Sequence, residues 1–136
     1  MMTNQRIAFF LPNLYGGGAE RVAVNLLEAM SAPDISLDLV LADAEGPLLN
    51  QVPKDVRLIN LASGRVLKAI PALSRYLKEN KPLALVSHIS HANVAAVLAK
   101  ELAGAKTKLV LVEHSTLTFS ESKLWRARFV PMFMKW

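Results

Sequence analysis

Residues 13–27, NLYGGGAERVAVNLL, set Gly16, Gly17 and Gly18 directly before an acidic residue and an apolar pattern at helical spacing. Such a run has two uses. Glycine reaches φ > 0 without strain, so the run allows a tight turn from a strand into a helix. The first backbone N–H groups of a helix also lack partners and carry partial positive charge. A glycine approach therefore lets phosphate or carboxylate come close to them. The spacing matches neither G-x-G-x-x-G nor G-x-x-x-x-G-K-[ST], which leaves a dinucleotide fingerprint or a P-loop unsupported. Glu20 falls in the first helical turn. There it complements the helix dipole, holds the loop or binds a hydroxyl. Arg21 reads as a phosphate or membrane contact, or as a solvated helix residue.

The histidines form a second set. His114 ends the run LVLVEH and precedes Ser115. An imidazole near its ordinary pKa can act as a base, or hydrogen-bond a sugar hydroxyl or a phosphate. Glu113 adjoins it, but strand alternation sends neighbours to opposite faces. His88 and His91 stand three apart in SHISH and straddle a strand-to-helix turn, with no further ligand cluster beside them. Metal is therefore not expected. His88 reads as polar lining of a strand end, and Ser90 as a cap for the helix that follows.

The elements that must position these residues follow from periodicity. RIAFFLP (6–12) is a buried strand closed by Pro12. Val22, Leu26 and Met30, with Ala23 and Leu27, are expected to line one face of the helix after the glycines. SLDLVLA (36–42) is a strand, 43–55 a Gly- and Pro-containing loop, and VRLINL (56–61) another strand. Residues 65–80 have helical spacing, with Pro71 forcing a kink or a late start. PLALVSH (82–88) is a strand, 91–104 a helix stopped by Gly104, and KLVLVEH (108–114) an apolar strand. Residues 123–136 read as helical. This order, with strands apolar on both faces, predicts an α/β doubly wound parallel sheet. The glycine turn, His88 and His114 all then fall at C-terminal strand ends, where such folds bind ligands.

The chain has 136 residues, 52% hydrophobic and 20% charged, which suits one globular domain. A net charge of +5 favours anionic partners without selecting one. The absence of cysteine excludes disulfides, thiolate metal sites and a Cys nucleophile. No apolar run reaches the roughly 18–20 residues that span a bilayer, and a cytoplasmic location is expected. Trp125, Phe129, Phe133 and Trp136 interleave with Lys123, Arg126, Arg128 and Lys135. That mixture suits an interfacial helix on anionic lipid, a helix packed on the sheet, or a surface covered by further chain.

RIAFFLPNLYGGGAERVAVNLLEAM, KPLALVSHISHANVAAVLAK and KLVLVEHST together resemble, in this order, the N-terminal half of a retaining glycosyltransferase of family four. The resemblance implies a GT-B fold, two Rossmann-like domains facing across a cleft. Residues 1–136 would be an incomplete N-terminal, acceptor-side domain, with the donor-binding C-terminal domain outside this sequence. Gly16, Gly17 and Gly18 match a loop near the diphosphate of a nucleotide-sugar donor, and His114 matches a cleft histidine beside the donor sugar. Glu20, Arg21, His88 and Ser115 would contact substrate. No protein nucleophile, metal or covalently bound cofactor is implied, and nucleic acid is not an expected partner. The acceptor would be a glycan or a lipid-linked sugar, at the inner membrane face. The chain alone is expected to be inactive and to need a donor domain, in the same chain or in trans. The alternative is a non-enzymatic Rossmann-like binding module or a subunit of a split transferase. The acidic residue usual before the SH strand end is absent, with Leu83 and Ala84 there instead.

Overall fold

The computed structural model describes residues 5–113. Five short apolar runs become strands: β1 (Gln5–Leu11), β2 (Ile35–Leu41), β3 (Arg57–Asn60), β4 (Ala84–His88) and β5 (Lys108–Val112). All pair in parallel, in the spatial order β3-β2-β1-β4-β5. Ile7 of β1 stands opposite Leu37 on one side and Ala84 on the other, which fixes the register at the centre of the sheet. A central parallel strand is covered on both faces, which is why AFFL in β1 is buried without alternation.

Three helices provide the cover: α1 (Gly18–Ala29), α2 (Ile70–Asn80) and α3 (Ser90–Ala103). One face carries Phe9, Leu11, Leu37, Leu39 and Leu41 against Ala23, Val24 and Leu27 of α1. The other carries Ala8, Phe10, Val40 and Leu85 against Leu73 and Leu77 of α2 and an alanine row on α3, Ala92, Ala95, Ala96 and Ala99. Small side chains let α3 lie close to both the sheet and α2.

The expected α/β doubly wound parallel sheet is present. Pro71 gives a late start: a 3-10 turn at Leu67–Ala69 precedes α2, and Pro71 sits in its first turn, where a missing N–H costs nothing. Gly104 ends α3 in the left-handed conformation at φ 61°, accepting the stop that the sequence signals. One expectation holds only in part. Ala23 and Leu27 are buried as expected, together with Ala19 and Val24, and Met30, just past the helix end, packs on the same cluster, while Val22 and Leu26 are each 40% exposed. The helix meets the sheet along the stripe of Ala19, Ala23, Val24 and Leu27, which leaves Val22 and Leu26 at its edge.

Asp38 is wholly buried in the middle of β2, on the face of α2 and α3. Arg6 donates to its Oδ1 at 2.7 Å, Arg57 donates to both oxygens, and the Tyr76 hydroxyl donates to Oδ2. A buried carboxylate demands such partners. The network joins β1, β2, β3 and α2 in the N-terminal half of the sheet.

Candidate functional site

The strand order reverses between β1 and β4. The chain leaves β1 through α1 on one face and leaves β4 through α3 on the other, so a crevice opens between the two C-terminal ends. The glycine turn follows β1 there, and His88 is the last residue of β4.

Within the turn, the glycines differ in what they do. Gly16 has φ 108°, a conformation that a side chain would strain. Gly17 is the N-cap of α1 in extended conformation, and no side chain caps the helix by a hydrogen bond. A Cβ on Gly17 would lie 2.5 Å from Oε2 of Glu20. Glu20 thus folds back over the N-cap, and its carboxylate already complements the positive end of α1. Arg21 donates to Gln51 Oε1 at 2.9 Å, which ties the start of α1 to the loop after β2.

A second loop buttresses the first, and the sequence alone gave no sign of it. The segment after β2 ends in a 3-10 turn at Pro47–Gln51. Leu14 N–H donates to the Glu45 carbonyl at 2.8 Å, and Leu48 N–H donates to the Leu14 carbonyl at 3.1 Å. Gly46, at φ 121°, leaves so little space that a Cβ there would meet the Leu14 carbonyl oxygen at 2.1 Å. The Tyr15 hydroxyl donates to Glu45 Oε2 at 2.7 Å. That hydrogen bond, and the charge of the same carboxylate, push the Tyr15 phenol above its ordinary pKa. The Gly-Pro pair at 46–47 marked a turn in the sequence, but the close approach of two loops belongs to the tertiary structure.

At the end of β4, His88 is buried, with its ring stacked on Phe9 of β1 at 5.7 Å between centroids. It shares the α1 face of the sheet with Phe9 and Val86. Ile89 follows with φ 79° and is the N-cap of α3. A β-branched residue in that region is strained. Ser90 does not cap α3, contrary to expectation: its hydroxyl donates to the Glu113 carboxylate, at 2.8 Å to Oε2. With Ile89 as N-cap, Ser90 already lies inside the helix. Asn93 Nδ2 donates to the Val112 carbonyl, tying α3 to the end of β5. The hydroxyl of Ser87 and Oδ1 of Asn93 are buried without a hydrogen-bond partner.

His114, Ser115 and the aromatic and basic residues at 123–136 lie outside the described residues. Among the described residues, no group of three or more His, Asp or Glu is placed to hold a metal, and no helix is long and apolar enough to cross a membrane.

A five-stranded parallel sheet with a glycine turn at its switch point defines a Rossmann-like α/β domain whose ligand edge is the C-terminal one. The chain belongs to Glycosyltransferase Family 4, whose family model matches residues 16–136. Over 131 residues it is 29% identical to an enzyme of Campylobacter jejuni subsp. jejuni serotype O:2, GalNAc-alpha-(1->4)-GalNAc-alpha-(1->3)-diNAcBac-PP-undecaprenol alpha-1,4-N-acetyl-D-galactosaminyltransferase. That match covers 89% of this chain and 35% of the relative. Its fold is similar to the apo form of the lipopolysaccharide outer core galactosyltransferase WaaB, with a TM-score of 0.61 at 17% identity over 81% of this chain and 33% of the other. Acinetobacter baumannii MurG is similar at a TM-score of 0.59 and 18% identity, over 90% of this chain and 39% of the other. The chain thus spans about a third of the length of the relatives it matches.

Proposed function

We propose that this chain is the acceptor-side, N-terminal domain of a GT-B glycosyltransferase. The whole enzyme would move a sugar from a nucleotide-sugar donor to a glycan or lipid-linked acceptor in polysaccharide or glycoconjugate synthesis. The observation that carries this reading is the family match across residues 16–136, which begins at the glycine turn on the sheet's ligand edge. The Campylobacter relative, whose name gives an undecaprenol-linked acceptor, supports the acceptor class. Work on such a lipid fits a protein placed at the cytoplasmic face of the membrane.

In this reading Gly16, Gly17 and Gly18 approach the donor diphosphate, whose main contacts come from a donor-binding domain. Glu20, Arg21, His88 and Ser115 serve substrate, and His114 sits beside the donor sugar. His88 is buried, so its part is to set the floor beneath the turn through Phe9. The reaction would retain anomeric configuration without a protein nucleophile. Catalysis would rest on positioning and on stabilising the diphosphate leaving group.

The test is to isolate the native protein that carries this chain with an antibody against it, then assay transfer from a panel of nucleotide sugars to lipid-linked acceptors. Transfer is expected, and its absence across the panel sinks the reading. In that protein, His114→Ala should lower turnover by about 100-fold, the scale of a positioned proton-transfer or polar group. Its stability should stay within about 0.5 kcal/mol. Unchanged turnover removes His114 from the site.

A further inference from the structure

Four aromatic side chains fall among the described residues. Phe9, Phe10 and Tyr76 are buried, whereas Tyr15 is 60% exposed. It stands on the ligand edge, between the turn after β1 and the loop after β2, and it is held at both ends. Its backbone N–H donates to Asn13 Oδ1 at 3.2 Å, and its hydroxyl donates to Glu45 Oε2 at 2.7 Å. The backbone beneath it is pinned by the Leu14–Glu45 and Leu48–Leu14 hydrogen bonds and by the contact with Gly46. A surface tyrosine ordinarily loses rotamer freedom when it binds something. Here the fold has already fixed it, so binding would cost less.

The charge around the ring says what it would bind. Glu45 touches the hydroxyl, and the charge of Asp43 also reaches it. The carboxylate bonded to the ring hydroxyl disfavours a phosphate, and the charge of Asp43 acts in the same direction. They favour a neutral ligand with hydroxyl donors at its rim and a C–H face for the ring, which is the surface of a pyranose. We propose that Tyr15 is a sugar-stacking residue, held by Glu45, that receives the terminal pyranose of the acceptor. The assignment rests on the transferase reading above and gives the acceptor sugar a place apart from the donor diphosphate.

The chain has two tyrosines, and Tyr76 is buried, so labelling with meta-fluorotyrosine gives one reporter and one internal control. Fluorine NMR would follow the 136-residue chain during titration with methyl glycosides of glucose, galactose and N-acetylgalactosamine, and separately with inorganic pyrophosphate. A saturable shift of the Tyr15 resonance is expected with at least one glycoside, with Tyr76 unmoved and pyrophosphate silent. Saturation transfer to the glycoside should weaken at least about tenfold in affinity in Tyr15→Ala, a difference of about 1.4 kcal/mol. In Tyr15→Phe, which keeps the ring, it should survive. The Tyr76 signal certifies that both variants are folded. No response to any glycoside, or a response to pyrophosphate alone, overturns the proposal. A silent Tyr15 beside measured sugar transfer removes the stacking role and leaves the transferase reading intact. Sugar binding at Tyr15 without any transfer does the reverse.

Discussion

At the N-terminal half of the sheet, Arg6, Arg57 and Tyr76 turn their polar ends onto one buried carboxylate, Asp38. At the C-terminal edge the polar contacts are scattered pairs, such as Tyr15 with Glu45 and Ser90 with Glu113, the Ser87 hydroxyl is buried without a hydrogen-bond partner, and the backbone departs from its easy regions. Gly16, Gly46, Ala62, Gly64 and Ile89 all have positive φ, and each follows the C-terminal end of a strand. The remaining positive-φ residues among those described, Lys81 and Gly104, close helices. One half of the molecule spends its polar groups on holding strands together. The other accepts strain to bring loops and helix starts around a crevice, as ligand edges do. The difference separates the end of the strands that ties the sheet together from the end at which we propose that ligands bind.

Substitutions can break or sharpen that contrast. The largest effect is expected from Asp38→Ala, which leaves the buried Tyr76 hydroxyl without its acceptor and two guanidinium groups without their carboxylate. Urea unfolding should show a loss of about 3–5 kcal/mol. A loss below about 1 kcal/mol would mean that the network is decorative and the contrast is wrong. Gly46→Ala comes next. Its Cβ meets main-chain atoms of the neighbouring loop, which cannot give as a side chain could. A loss of about 2–3 kcal/mol is expected, from strain and displacement together. The turn that carries Tyr15 should shift with it, visible as a moved Tyr15 resonance.

A smaller effect depends on pH. Burial, and then the hydrogen bond to Asp38, raise the Tyr76 phenol above its ordinary value near 10. A raised folded-state pKa means that the unfolded chain releases this proton first. The stabilisation is therefore complete below about pH 10 and declines as pH rises further, by at most about 1.4 kcal/mol per unit. Tyr76→Phe should reduce that slope in unfolding experiments between neutral and alkaline pH, leaving the part due to Tyr15, and an unchanged slope would remove Tyr76 as its source. The smallest effect belongs to the proposed ligand edge. Glu20→Gln removes a charge from the start of α1 and should cost about 0.3–1 kcal/mol, less in high salt. A cost above about 2 kcal/mol would make Glu20 a structural cap rather than a residue of the crevice.

Much of the fold was legible in the sequence because strand and helix periods differ and the breakers were well placed. The apolar runs gave five strands, Pro71 gave a late helix start, and Gly104 gave a helix stop. The face of α1 was partly misread for a physical reason. Period alone places Val22 and Leu26 beside Ala23 and Leu27, while packing on the sheet turns the buried stripe toward Ala19 and Val24 and leaves Val22 and Leu26 at its edge. Ser90 was misread because the sequence could not show that Ile89, a poor candidate for positive φ, takes the N-cap. The placement of the glycine turn and of His88 at strand ends was legible because both sit where a strand pattern stops. Glu45, Gly46 and Gln51 were missed as partners of the turn, since nothing local links them to residues about thirty positions earlier.

The sequence by itself determined the element order and the parallel α/β class, since both follow from short-range pattern. Tertiary structure alone decided that Asp38 is buried and paired, that the loop at 43–51 clamps the glycine turn, and that Tyr15 is held outward by Glu45. These are contacts between residues distant in the chain. Their energies depend on distances that only the packed sheet sets, and no period or local motif in one sequence encodes them.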